Sequence, residues 1–278
     1  MATQAEKAET FKALHQGGKA FILPNPWDIG SAQMFAGQGA KALATTSAGH
    51  AGTIGTFDGK NAVSRDLAVA HAGEIAKATD LPVSGDFEFG YGESPEDVAL
   101  TVKAAIDAGL AGCSIEDVNM VNGNPVIDFD LSVARIKAGV EAARAAGFPF
   151  QLCARADGVM INAYDVDEAI HRLKAYEAVG ADCIYAPQLP DLAALEKVRA
   201  ATTAPINALA AGAFANHSVS ELEAAGAVRI SLGSMLYNAA MDGAYLATQA
   251  MLEEGDLSSL TKIRTIGKVF KARKAGMI

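Results

Sequence analysis

The sequence lacks any run of about 18 uninterrupted apolar residues, so nothing in it is expected to span a bilayer. It lacks a basic cluster: 32 acidic residues against 23 basic ones leave a formal net charge of -9. That balance argues against nucleic acid as a partner. Cysteine is scarce. Cys113, Cys153 and Cys183 are odd in number and far apart; they fit no zinc spacing and suggest reduced thiols in the cytoplasm. Each lies in an apolar run, where cysteine serves as a small buried hydrophobe. The first twelve residues are polar and carry Glu6, Lys7 and Glu9, unlike a secretory leader. Also missing is a G-x-G-x-x-G opening a helix after the first strand, since Gly37-Gln38-Gly39 falls at a helix end. This disfavours an open dinucleotide-binding sheet.

What is present is repetition. Apolar runs of strand length at 20–24, 41–46, 83–88, 112–116, 148–155, 181–186, 204–207 and 228–232 alternate with amphipathic stretches. Ser94-Pro95-Glu96-Asp97 is a strong helix start, with a cap, a proline at the first position and acids in the first turn. Asp28, Ser64 or Asp66, and Asn216 or Ser218 are further caps. Each strand is flatly apolar, as in a parallel sheet buried on both sides. Eight such units in 278 residues predict one (β/α)8 barrel, an α/β TIM barrel spanning residues 1–278, with extra C-terminal helices over about 234–278. The helix from Ser234 to Glu253 is apolar on more than one side, which predicts burial on several faces.

The polar residues collect at strand ends. Asn25 and Asp28 follow the first strand, and Thr46 and Ser47 the second, which runs into a small-residue loop to Gly52. Asp86 and Glu88 end the third, two residues apart and so expected on one face of the strand. Gly90 and Gly92 follow and allow a sharp turn. Glu116 and Asp117 end the fourth strand, Arg155 and Asp157 the fifth, Tyr185 the sixth and Asn207 the seventh. In a barrel these converge on one mouth, where barrel enzymes work. Carboxylates so close repel unless a cation or protons sit between them. An all-oxygen donor set favours Mg2+, or Mn2+, over zinc. Arg155 offers a fork matching a carboxylate or phosphonate; its alternative role is to balance the acids. His50 is the one histidine near the mouth, either a proton donor or a loop histidine facing solvent. Tyr91 either donates a proton or walls the pocket. His15, His71, His171 and His217 read as surface residues.

These motifs resemble the isocitrate lyase/phosphoenolpyruvate mutase superfamily. The third strand carries a D-x-D-x-G-Y-G-like run, Asp86-Phe87-Glu88-Phe89-Gly90-Tyr91-Gly92. Glu116-Asp117 and Ala154-Arg155-Ala156-Asp157 match the fourth and fifth strands, and Asp58 an upstream aspartate. The resemblance implies a magnesium site with Asp86 as nearest ligand and with Asp58, Glu88 and Glu116 acting through bound waters. It implies that Thr46, Ser47 and Ala48 hold a substrate carboxylate together with Arg155, and that Asn207 is a polar substrate contact. Glu116, Arg155, His50 and Tyr91 are the candidate catalytic residues. The implied chemistry is cleavage next to a 2-oxo acid through a pyruvate-type enolate. The family's cleaving lyases carry a cysteine loop after the fourth strand, but here residues 117–130 hold no cysteine, lysine or histidine. The expected function is therefore a Mg-dependent lyase or decarboxylase of an oxaloacetate-like diacid. Alternatives are a C–P bond enzyme (phosphonopyruvate hydrolase or phosphoenolpyruvate mutase) and a non-catalytic barrel that binds small carboxylates. The resemblance also implies a homo-oligomer, a dimer or tetramer that swaps its last barrel helix between subunits.

Overall fold

Side chains at the helix starts set the rhythm of the chain. Those of Asp28, Ser64, Ser94, Asp165, Asp191 and Ser218 each accept a hydrogen bond from the backbone N–H three residues on. Such caps satisfy donors that a helix leaves orphaned, at about 1 kcal/mol each. The structure is a computed structural model that describes residues 2–60, 62–120, 125–262 and 265–278. The stretch 117–130 after the fourth strand and the C-terminal helices expected over about 234–278 thus lie in part outside the described residues.

Eight parallel strands make one sheet: β1 (Phe21–Leu23), β2 (Leu43–Ala44), β3 (Val83–Asp86), β4 (Gly112–Glu116), β5 (Gln151–Arg155), β6 (Cys183–Tyr185), β7 (Ile206–Leu209) and β8 (Ala227–Ser231). Their order is β1-β8-β7-β6-β5-β4-β3-β2, a nearly closed barrel. The seam between β1 and β2 is joined where the Ala44 N–H donates to the Pro24 carbonyl at 3.1 Å. Asn25 clamps the same seam from its side chain, donating to the Thr45 carbonyl at 3.1 Å and accepting from the Leu232 N–H at 2.8 Å.

Outward-facing strand residues such as Val83, Ile115, Leu152, Ile184, Ile206 and Ile230 bury themselves under the helix layer. The N-terminal end of the barrel is closed by α1 (Gln4–Gln16), whose Ala8 and Phe11 pack on Phe21, Leu23 and Ala42. Burying Phe11 completely contributes about 2 kcal/mol. His15, expected on the surface, belongs to this plug instead and is buried against the edges of Phe11 and Phe21. Burial, with Arg229 adding to it, lowers its pKa to about 3.

One further expectation is corrected. The small-residue stretch after β2 is a helix, α3 (Ser47–Thr53), capped by the Thr46 hydroxyl. The expected last barrel helix, α10 (Met235–Glu253), has no buried residue within the chain. α11 (Ile266–Gly276) packs on α2 (Ile29–Gly37), and two glycines make the approach possible. A Cβ on Gly37 would lie 1.8 Å from the Ala272 carbonyl oxygen, and one on Gly276 1.9 Å from that of Gln33. Gly37→Ala should therefore destabilise the protein by about 1–3 kcal/mol in denaturant unfolding. An unchanged midpoint would mean that α11 does not dock on α2.

Candidate active site

The acidic residues come together at the C-terminal ends of the strands, as a barrel requires. Asp86 ends β3. Its carboxylate accepts from the Ser47 N–H at 2.9 Å, the Ser114 hydroxyl at 3.2 Å and Arg155 Nη1 at 2.8 Å. Glu116 ends β4 and Arg155 ends β5, directly paired across the sheet. Strand alternation does not bring Glu88 beside Asp86, because β3 stops at Asp86. Glu88 reaches the site from the following turn, at a φ of +46°. A non-glycine residue held there costs on the order of 1–3 kcal/mol, and such strain gathers at functional sites. The turn is fixed by the Glu116 N–H donating to the Glu88 carbonyl at 3.0 Å and by Gly90, whose φ is +88°.

Arg155 is the centre of the arrangement. Nε donates to Asp157 Oδ1 at 3.0 Å and Nη2 to Asp157 Oδ2 at 2.5 Å. Nη2 also lies 2.9 Å from Glu116 Oε2. Its plane faces the Tyr185 ring at 5.2 Å. With Asp86 on Nη1, one of the five guanidinium hydrogens remains for a ligand. Asp157 is held in turn by Asp117, which accepts from its N–H at 2.8 Å. Asp117 is itself held by Tyr164, Arg172 and Tyr176. This buttress was not legible in the sequence, because its members lie 47–59 residues from Asp117.

The mouth opens on two adjoining hollows. One, of about 80 Å3, is lined by Asp58, Glu88, Glu116 and Arg155. The deeper one, of about 260 Å3, is lined by Thr46, Ser47, Ala48, Asp58, Asp86 and Arg155, among others. Asp58 accepts from the Ser47 hydroxyl at 3.2 Å. Burial, then the Asp86 charge, raises its pKa. Burial, then Asp58 and Asp86, pushes Glu88 up to about 8. Glu116 is also raised, burial outweighing the pull of Arg155. Crowded carboxylates that hold protons this tightly are short of positive charge, so the donor set fits a hard divalent cation. Among the described residues no three such groups are spaced to clasp one ion directly. An ion there would keep several waters, as magnesium does.

The remaining candidates fall differently. His50 is buried on α3 rather than exposed on a loop. It stacks on His71 with ring centroids 3.8 Å apart, and burial followed by the His71 charge lowers it to about 4. His71, expected on the surface, is largely shielded as well and bonds the Trp27 carbonyl at 2.9 Å. The Tyr91 hydroxyl is buried near Glu88 with no hydrogen-bond partner within bonding distance among the described residues, and burial raises its pKa. Asn207 lies within the barrel, with its amide taken up by Arg229 and Ser231. The reading from sequence passed over Arg229, inside β8. A charge within an otherwise apolar strand was the available clue.

Fold and site together define an α/β-barrel protein with an arginine-bridged acidic mouth. The family model for phosphoenolpyruvate phosphomutase matches residues 11–252. The chain belongs to that family, within the PEP mutase/isocitrate lyase superfamily. A Burkholderia cenocepacia J2315 protein, provisionally described as a lyase/mutase, is 40% identical, with 96% of each chain covered and a TM-score of 0.91. A Corynebacterium glutamicum protein named "Probable 2-methylisocitrate lyase 2" is 39% identical over 182 residues. That match takes in 59% of this chain, and the chain spans 58% of that relative's length. The structure of 2,3-dimethylmalate lyase, a PEP mutase/isocitrate lyase superfamily member, is 25% identical, covering 98% of this chain and 95% of that one, with a TM-score of 0.84.

The sign of the Glu88 effect is testable. Its folded pKa of about 8 exceeds the ordinary 4.5, so the folded protein binds the extra proton. The stability this gives is full below about 4.5 and is lost as pH rises through about 8. The thermal midpoint of metal-free protein should therefore fall between pH 5 and pH 8.5, and Glu88→Gln should flatten the slope. An equally steep slope in that variant would remove Glu88 as its source.

Proposed function

We propose that this protein is a magnesium-dependent lyase or decarboxylase acting on a small 2-oxo acid or its C–C adduct, with an oxaloacetate-like diacid as substrate. The observation that carries the reading is the convergence of Asp58, Asp86, Glu88 and Glu116 with Arg155 on two adjoining hollows that share Asp58 and Arg155, where Glu88 is driven to hold a proton. Asp86, with Asp58, Glu88 and Glu116 through waters, would hold the magnesium. When bound, the ion supplies the Lewis acid that draws electron density from the keto group beside the breaking bond. The chain's own residues do the rest. Ser47, Ala48 and Thr46 line the cavity and receive the carboxylate of the 2-oxo acid end. Arg155 holds Asp86, Glu116 and Asp157 in one fixed array and turns its last N–H toward the ligand. Tyr91 keeps its proton and closes the pocket wall beside Glu88. Asn207 acts from within the barrel, through Arg229 and Ser231.

Relatives whose names specify 2-methylisocitrate and 2,3-dimethylmalate support a carboxylic diacid or triacid. A second reading, C–P chemistry, is favoured by the phosphomutase family model. A panel of 2-oxo acids, 2-hydroxy diacids and phosphonopyruvate with magnesium, reading out pyruvate or glyoxylate, separates the two. The diacids should turn over, excess chelator should abolish turnover, and Asp86→Ala should lose magnesium affinity. Full activity in chelator would sink the metal assignment.

The same reading includes a cytoplasmic homo-oligomer. The three cysteines are free and buried. Among the described residues no helix is long and apolar enough to cross a membrane. α10 leaves Met241, Tyr245, Leu246 and Leu252 at least half exposed along one chain. An apolar helix that its own chain covers only near its start, where Leu236 packs on the core and Tyr237 on Trp27, is suited to a second subunit. Light scattering at micromolar concentration should give a dimer or tetramer; a monomer would refute the assembly.

A further inference from the structure

The deeper cavity has a second cation, set below the mouth. Arg229 lies within β8, paired with Phe21 of β1 and Asn207 of β7, and is 4% exposed. Its Nε donates to Asn207 Oδ1 at 2.8 Å, and Asn207 Nδ2 donates to Ser231 Oγ at 2.8 Å. The other groups near its charge are Tyr185, the thiols of Cys153 and Cys183, and the imidazole of His15. No carboxylate among the described residues lies within 4 Å of it, so it forms none of the ion pairs that hold Arg155 and Arg172. A buried guanidinium without an anion is costly for a fold to keep.

Its position suggests the reason. Arg229 lines the cavity of about 260 Å3 that also touches Asp58, Asp86 and Arg155. Ser84, Ser114 and Ser231 add hydroxyls to the same wall. Of the two arginines on this cavity, Arg155 is already turned against Asp86, Glu116 and Asp157. Arg229, bound to Asn207, has no carboxylate partner among the described residues. The row of paired residues Glu116, Arg155, Tyr185, Asn207 and Arg229 runs from the mouth down into the barrel, because strand stagger turns a row across the sheet into a spiral.

We propose that Arg229 receives the distal carboxylate of a short dicarboxylate substrate whose 2-oxo acid end lies at the Asp86–Ser47 mouth. The inference rests on the reading of that mouth given above, and it adds the specificity. The cavity floor selects ligands with a second carboxylate over monocarboxylic 2-oxo acids. A carboxylate there gives the guanidinium its missing anion through charge-assisted hydrogen bonds, while the serine hydroxyls fill its remaining acceptor sites.

The test is calorimetric titration at saturating magnesium with three probes: oxalate, pyruvate and 3,3-difluorooxaloacetate. Pyruvate presents the 2-oxo acid head itself, oxalate mimics its planar enolate, and only 3,3-difluorooxaloacetate carries a carboxylate beyond that head. Arg229→Gln should weaken the fluorinated diacid by about tenfold or more, leaving oxalate and pyruvate within about twofold. Equal weakening of all three, or of none, overturns the role of Arg229 while the mouth stands. Wild-type protein that binds none of the probes overturns the mouth and the inference together. Should Arg229→Gln fail to fold, Ser231→Asp replaces it. That variant places a carboxylate beside Arg229, and it should raise the thermal midpoint and abolish the preference for the diacid over pyruvate. A retained preference overturns the proposal.

Discussion

The structure turns on one guanidinium among carboxylates. Arg155 joins the ends of β3, β4 and β5 by holding Asp86, Glu116 and Asp157 at once. Three carboxylates packed that closely would repel if left alone, and burial would sharpen the repulsion. The arginine makes the cluster tenable but does not neutralise it. Asp58 and Glu88 feel its charge, but burial and the neighbouring carboxylates outweigh it and both still hold their protons above the ordinary range. An acidic array only partly balanced is what a cation needs in order to bind. The buttress of Asp117 with Tyr164, Arg172 and Tyr176 keeps this array from relaxing, because it fixes the backbone of Asp157 from behind.

Much of this was legible in the sequence. Eight apolar runs separated by capped helices could be read directly, since parallel strands buried on both faces leave flat apolar segments. The acids at the ends of β3 and β4 and the arginine ending β5 could be placed on one mouth by barrel geometry alone. What escaped depended on three-dimensional detail. Ser47 to Thr53 looked like a loop because glycine and alanine fill it, yet the Thr46 cap and packing make it helical. His15 looked exposed on an amphipathic helix, but α1 plugs the barrel and turns that residue inward. Glu88 joined Asp86 through a left-handed turn rather than strand alternation. Asn207 seemed to belong to the mouth because it lies near a strand end, but strand stagger lowers it into the barrel beside Arg229.

The family places this chain among proteins that share a scaffold and divide over the bond they break. Cleaving relatives are expected to use a cysteine loop after the fourth strand, and here Val118, Asn119 and Met120 line the small hollow in that place. The site keeps the acids and the arginine, while residues 117–130 hold no cysteine, lysine or histidine. On the proposed lyase reading the proton falls to residues already at the site, of which Glu88 and Tyr91 both hold theirs at neutral pH.

The seam between β1 and β2 has a mechanical consequence. Elsewhere neighbouring strands are tied by ladders, whereas here one backbone bond and the Asn25 clamp close the circle. A hoop closed by so slight a clasp gives way there first when its girth must change. That clasp borders Thr45 and Thr46, at the entrance of α3, on the rim where a ligand would arrive. Any widening of the barrel is therefore easiest at that lip, whereas Glu116, Arg155 and Asp157 are paired across the ring at the ends of β4 and β5. Accommodation of a ligand and precision of the acids are thus assigned to different arcs of the same ring.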